Sequence, residues 1–164
     1  MRALIQRVSH AHVDVIDDGE LTDPEVPRRR VGTIGAGLLI LVASTPDDDA
    51  AVAEALAEKI FQQRILHDEK SLASTGADAL IISQFTLYAD ARRGRRPSYS
   101  AAAPGHLAEP VYEAFCAALT ERVTAAGGTV AYGEFGAMME VSSTNAGPYS
   151  LWLDTEELNR PRRG

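Results

Sequence analysis

Two short segments place polar residues where a buried strand would be apolar throughout. The first is Ser83-Gln84-Phe85-Thr86-Leu87, which ends the run Ala79-Leu80-Ile81-Ile82. Buried polar groups need partners, so this run either emerges into a loop or faces a pocket. A strand end also leaves backbone N–H groups unpaired, and these can receive the oxyanion of an acyl-transfer reaction. The second segment is Thr144-Asn145-Ala146-Gly147-Pro148-Tyr149-Ser150. Its Gly-Pro pair reads as a tight turn, and an X-Pro bond can be cis at a cost of only ~0.5–1 kcal/mol. Thr86 and Ser150 carry hydroxyls able to act as nucleophiles, but neither has an evident general base.

Other catalytic patterns are missing. There is no Gly-x-Ser-x-Gly elbow, no Gly-x-x-x-x-Gly-Lys phosphate loop and no His-Glu-x-x-His. Gly32, Gly35 and Gly37 have the wrong order for a dinucleotide loop and read as a turn. His10 and His12 share a strand face, but two histidines without a third ligand make a weak metal site. Cys116, the one cysteine, sits among apolar helix positions and reads as core. It excludes an intramolecular disulfide and a four-cysteine zinc site. The expectation is no metal and no cofactor.

Sixteen basic residues against 23 acidic ones give a net charge of −7, which argues against a strongly basic nucleic-acid binder. The basic residues are nevertheless clustered. Only Lys59 and Lys70 are lysines, and ten arginines fall in three runs: Arg28-Arg29-Arg30, Arg92-Arg93 with Arg95-Arg96, and Arg160 with Arg162-Arg163. Localised arginine on an acidic body can bind phosphate at one place while the remainder repels it. No apolar run approaches the ~18 residues needed to span a membrane; Leu38 to Ala43 is six. The opening Met1-Arg2-Ala3-Leu4-Ile5-Gln6-Arg7 turns polar too early for a signal peptide. A soluble cytoplasmic protein is the expectation.

The elements that must position these residues follow from periodicity. Residues 2–16 alternate as two short strands broken at Ser9-His10. Asp17 to Arg30, with two prolines and five acids, reads as an exposed, mobile loop. Leu38 to Ala43 predicts a strand buried on both faces. Thr45-Pro46-Asp47-Asp48 reads as a helix start, with Val52, Leu56 and Ile60 forming its apolar stripe to about residue 63. A second strand covers Ala79–Leu87, and a second helix runs from about Ala108 to Ala126, stopped by Gly127-Gly128. Thr129–Glu134, Met138–Ser143 and Ser150–Leu153 read as three closing strands. Strands outnumber helices without alternating strictly. The expected class is α+β: a single domain with a mainly antiparallel, barrel-like sheet and two main helices.

Taken together, these segments resemble the D-aminoacyl-tRNA deacylase family. Ser83-Gln84-Phe85-Thr86-Leu87 is similar to the family's first signature, and Asn145-Ala146-Gly147-Pro148 to the start of the second, Asn-x-Gly-Pro-Val-Thr. Arg93-Gly94-Arg95-Arg96-Pro97-Ser98-Tyr99 resembles its Arg-Pro-Ser-Phe segment, and Ile34-Gly35-Ala36-Gly37-Leu38-Leu39 is also similar. All four occur in order, within a likeness that runs from Met1 to Leu153. Residues 1–153 are read as the deacylase domain and 154–164 as a polar C-terminal tail. The chain departs from the pattern at Tyr149-Ser150, where the family has Val-Thr, at Lys70-Ser71-Leu72, and in the length of the Asp17–Arg30 loop.

The resemblance implies hydrolysis of the ester joining a D-amino acid, or mischarged glycine, to the terminal ribose of tRNA. It implies a homodimer with the active site at the subunit interface, no metal and no cofactor, and no membrane or DNA partner. Backbone N–H groups of Phe85 and Thr86 would form the oxyanion hole, with Gln84 and Ser83 shaping the pocket. The RNA 2′-OH would help to activate water. Gly147 and Pro148, with a cis bond and flanked by Asn145 and Ser150, would reject L-substrates by clash from the partner subunit. Arg93, Arg95 and Arg96 would face the tRNA. Phe135 and Met139 stand where the family's adenine-side residues lie, with a core role equally open. Two other classes also fit the residues: a non-catalytic RNA-binding module, and a small hydrolase with a Ser or Thr nucleophile.

Overall fold

A computed structural model describes residues 1–17, 23, 25–158 and 160. Part of the Asp17–Arg30 loop, residues 18–22 and 24, lies outside the described residues, as do Arg162 and Arg163 of the third arginine run. The first strand, β1, is a single element from Arg2 to Val15 rather than two. The expected break at Ser9-His10 appears instead in its partner. β2 (Arg29–Ile34) and β3 (Gly37–Ala43) both pair antiparallel to β1, at Ala11–Val15 and Arg2–Val8 respectively. Gly35-Ala36 therefore joins two strands that run in the same direction, and the glycines there mark a kink rather than a reversal. Gly37 is required by close approach, since a Cβ on it would lie 2.0 Å from the carbonyl oxygen of Asp78.

The chain then crosses over twice. α1 (Ala50–Phe61) leads, past the short helix α2 (Leu72–Thr75), to β4 (Asp78–Ser83), parallel to β3. α3 (Gly105–Ala125) leads to β5 (Val130–Tyr132), parallel to β4. β6 (Met139–Asp154) returns antiparallel along the whole of β1. The sheet is mixed: β1 pairs antiparallel with β2, β3 and β6, whereas β3–β4 and β4–β5 pair parallel. It curls until β2 meets β5: a Cβ on Gly32 would stand 2.8 Å from the Tyr132 carbonyl oxygen. The class is α+β, a nearly closed barrel with two main helices, as expected.

Burial follows the alternation. Val8, Ala11, Val13, Leu39, Leu80 and Ile82 fill the inside of the curl. Ala3, Ile5, Ile40 and Ile81 point outward to Leu56, Ile60, Phe115 and Leu119 of α1 and α3. Ile40, Leu80 and Ile81 are fully buried, which explains the uninterrupted apolar runs in β3 and β4.

Several boundaries differ from the sequence expectation for identifiable reasons. α1 starts at Ala50, capped by Asp49, whose side chain accepts from the Val52 N–H at 3.0 Å. Thr45 is no cap because Asp48 turns back on it, accepting from its N–H at 2.7 Å and its hydroxyl at 3.0 Å. α3 begins a turn early, after Pro104. The expected strand over Ala79–Leu87 ends at Ser83, and Phe85–Tyr88 wind into a 3-10 turn. The expected strands Met138–Ser143 and Ser150–Leu153 are one element, β6. The segment read as a tail starts inside the fold: Asp154 ends β6 buried against Arg2, and Thr155–Leu158 form a helical turn, α4, with Thr155 buried.

Candidate active site

The parallel crossovers leave a cavity at the C-terminal ends of β3 and β4, where a strand edge stops and loops diverge. It measures about 600 Å³. Ser44, Ser83, Gln84, Phe85, Phe135 and Met139 line it, along with Met1, Tyr112 and neighbouring small residues. The structure thus brings together five residues singled out from sequence: Ser83, Gln84, Phe85, Phe135 and Met139. Phe135 and Met139 line the cavity, and each also packs against a core cluster. The Phe135 ring lies 5.6 Å from that of Tyr112, which is held by its hydroxyl donating to the Ile81 carbonyl at 3.3 Å.

The 3-10 turn explains why the first signature is polar. Gln84 leaves β4 with its N–H still bonded to the Val42 carbonyl at 2.8 Å. The chain then turns, and Leu87 donates back to the Gln84 carbonyl at 3.1 Å. The amides of Phe85 and Thr86, first in the turn, have no hydrogen-bond partner among the described residues. The Gln84 side-chain amide donates to the Thr86 hydroxyl at 2.5 Å. Neither Thr86 nor Ser150 has a histidine or carboxylate partner among the described residues; Ser150 accepts only a long contact from Gln6, at 3.5 Å. Two consecutive unpaired amides, the first on a cavity-lining residue, and no base beside the Thr86 or Ser150 hydroxyl among the described residues suit stabilisation of an oxyanion better than covalent catalysis.

Arg2 ties this turn to the barrel. It donates to the buried Asp154 carboxylate at 2.8 Å and to the Leu87 carbonyl at 3.2 Å. Its guanidinium also sits over the rings of Tyr88, at 4.3 Å, and Trp152, at 5.5 Å.

Gly147-Pro148 lies elsewhere in the chain. It belongs to β6, is exposed, and is absent from the cavity wall. The Gly147–Pro148 bond is cis. The ladder between β1 and β6 pairs Gln6 with Ser150 and then Val8 with Asn145, so residues 146–149 bulge opposite the single residue Arg7. Arg7 fills that gap. Its Nε donates to the Ala146 carbonyl at 2.6 Å, one terminal nitrogen donates to the Gly147 carbonyl, and the other reaches the Ile65 carbonyl at 3.5 Å. Sequence reasoning missed this residue. The available signal was a charged side chain at a position whose strand-mates, Ala3 and Ile5, are buried.

The arginine runs divide sharply. Arg28 pairs with Glu140, Arg29 with Asp17 and Glu134, and Arg30 with Asp14. These bonds hold Asp14 and Glu140 below their ordinary carboxylate range. Arg92 folds back on Asp90. Arg93, Arg95 and Arg96 are exposed, with no hydrogen-bond or ion-pair partner among the described residues. Their loop is closed at its base by paired backbone bonds between Asp90 and Ser98, at 2.8 and 2.9 Å, and it follows the 3-10 turn directly. Cys116 is buried in α3, and its thiol is pushed up to about 12 by that burial. Among the described residues, no three His, Cys, Asp or Glu side chains gather where they could hold a metal, and no helix is long and apolar enough to cross a membrane.

The family model for D-Tyr-tRNA(Tyr) deacylase matches residues 4–154. The chain belongs to that family. Proteins named D-aminoacyl-tRNA deacylase from Nocardia farcinica and Micrococcus luteus are similar to it. The first is 50% identical over 155 residues, covering 94% of this chain and 100% of the relative. The second is 48% identical over 165 residues, covering 100% of both. A solved structure titled c-Myc DNA Unwinding Element Binding Protein is 30% identical, with a TM-score of 0.77 over 94% of this chain and 98% of that one. A probable eukaryotic D-amino acid tRNA deacylase shares the fold, with a TM-score of 0.76 at 16% identity over 93% of this chain and 97% of that one.

Proposed function

We propose that this member of the family hydrolyses D-aminoacyl-tRNA, and glycine mischarged on tRNA, to the free amino acid and tRNA. The observation that carries the reading is a pair of consecutive unpaired amides, those of Phe85, which lines a cavity of about 600 Å³, and of Thr86, which follows it in the same turn. An aminoacyl ester is already activated, so positioning and charge stabilisation supply most of what is needed. Water adds to the ester carbonyl, and the developing oxyanion takes hydrogen bonds from the two amides. The ester C–O bond then breaks, and the ribose oxygen leaves protonated. The neighbouring ribose 2′-OH assists the attacking water. Gln84 and Ser83 shape the acyl side, and Phe135 and Met139 border the adenine.

The chiral gate is assigned to Gly147 and Pro148, with Asn145 and Ser150 flanking, reaching from one subunit of a homodimer into the cavity of the other. Support comes from their exposure, from their separation from the cavity of their own chain, and from the rigid seat that Arg7 gives them. A wall that meets an L side chain and spares a D side chain or hydrogen discriminates by clash. Arg93, Arg95 and Arg96 are assigned to the tRNA phosphates, and the enzyme to the cytoplasm, where aminoacyl-tRNA is used. The test is deacylation of D-Tyr-tRNA against L-Tyr-tRNA by the purified protein, with and without chelator. Cleavage of the D-ester alone, indifferent to chelator, is expected. Tight tRNA binding with no cleavage would instead establish an RNA-binding module.

A further inference from the structure

Position 149 carries a tyrosine where the family pattern has valine, and the ring is not idle. It is half-buried, packed against the main core, and the Arg7 guanidinium lies over its face, 4.9 Å from the ring centre. Arg7 has no carboxylate partner among the described residues; its partners are the carbonyls of Ala146, Gly147 and Ile65. A guanidinium bonded only to neutral carbonyls retains its full charge, and an aromatic face is the remaining attractive surface for it. Tyr149 is also the last residue of the bulge that Arg7 closes, so its ring backs the guanidinium that holds the Ala146 and Gly147 carbonyls.

We propose that Tyr149 is a positioning residue for chiral discrimination, acting through Arg7 and not as part of the wall itself. The ring holds the guanidinium flat against the bulge. The guanidinium holds the Ala146 and Gly147 carbonyls, and these fix where Gly147 and Pro148 stand. The inference rests on the assignment of Gly147-Pro148 as the gate. A valine at 149 fills less space and presents no π face, so the guanidinium keeps its hydrogen bonds but loses its orienting surface.

The test has a catalytic arm and a physical one. In the first, the ratio of kcat/KM for D-Tyr-tRNA to that for L-Tyr-tRNA is measured for wild type, Tyr149→Val, Tyr149→Phe, Arg7→Gln and the Arg7→Gln/Tyr149→Val double variant. Tyr149→Val should lower the ratio on the order of tenfold, the range of a partly desolvated cation–π contact. Tyr149→Phe should restore it. In the Arg7→Gln background the valine change should have less than a twofold effect, because two residues acting through one contact are non-additive. An additive double variant would make the ring a piece of the wall and overturn the proposal, as would an unchanged ratio in Tyr149→Val. In the physical arm, NMR of the Arg7 Nε–H reads the contact without catalysis. The ring should shift this proton in wild type and Tyr149→Phe, and the shift should vanish in Tyr149→Val. A resonance indifferent to the ring overturns the proposal even if deacylation is robust. A wild type that binds as described but shows no D/L preference would refute the gate assignment instead.

Discussion

Neutralising Arg93, Arg95 and Arg96 together, each to glutamine, should weaken tRNA binding in a way the structure quantifies. Four arginines lie between residues 92 and 96, but Arg92 is already spent on Asp90, leaving three without an anionic partner among the described residues. Each phosphate neutralised contributes about 0.7 to the slope of log K against log salt for single-stranded nucleic acid and about 0.9 for a duplex. Three contacts are therefore worth ~2 to 3 units of slope. Between about 50 and 200 mM salt, wild-type affinity should fall roughly 20- to 40-fold more than that of the triple variant. The assay is titration of labelled, uncharged tRNA at four or more salt concentrations, read by fluorescence anisotropy. The internal control is Arg29→Gln/Arg30→Gln. These guanidiniums already answer Asp17, Glu134 and Asp14, so the slope should stay at the wild-type value. An unchanged slope in the triple variant, or an equal change in the control, would refute the argument that unpaired arginine marks the RNA path.

Thr86→Ala and Ser150→Ala should each retain substantial deacylation, because neither removes a backbone N–H; losing one oxyanion donor costs on the order of 10²–10³ in rate, and a loss beyond that in a folded variant would favour a covalent mechanism. Arg2→Gln removes the tether on the Leu87 carbonyl and leaves Asp154 buried without its cation, so kcat should fall more than KM rises, and unfolding free energy should drop by about 2 kcal/mol in urea titration. Cys116 should resist alkylation at pH 8 until the protein unfolds. Its folded thiol stands above the unfolded value, so the stability tied to it is complete below pH ~8.5 and declines as pH rises toward about 12, a window that Cys116→Ala should flatten.

Much of the scaffold was legible in the residues alone. The apolar runs at Leu38–Ala43 and Ala79–Ile82 named two strands covered on both faces, because only a strand between a filled barrel and a layer of helices tolerates no polar position. The stripe Val52, Leu56, Ile60 named α1, because helical periodicity must answer a flat core. Ser83–Leu87 and Asn145–Pro148 declared themselves by polarity and by Gly-Pro chemistry in otherwise regular strands. The three-dimensional arrangement decided what pattern cannot carry. Periodicity reports which way a side chain points, not which partner a backbone carbonyl meets. It therefore gave no sign that β1 runs unbroken past Ser9-His10, or that β2 and β3 share its edge across a glycine kink. Charge counts alone did not rank the three arginine runs; the position of Arg93, Arg95 and Arg96 just after Ser83–Leu87 singled them out, and spatial neighbours then showed that Arg28, Arg29 and Arg30 already answer carboxylates. Arg7 and Tyr149 stand 142 residues apart in the chain. The strand pairing that leaves residues 146–149 unmatched is what brings them together, and a contact made by a ladder's missing rungs has no signature in sequence.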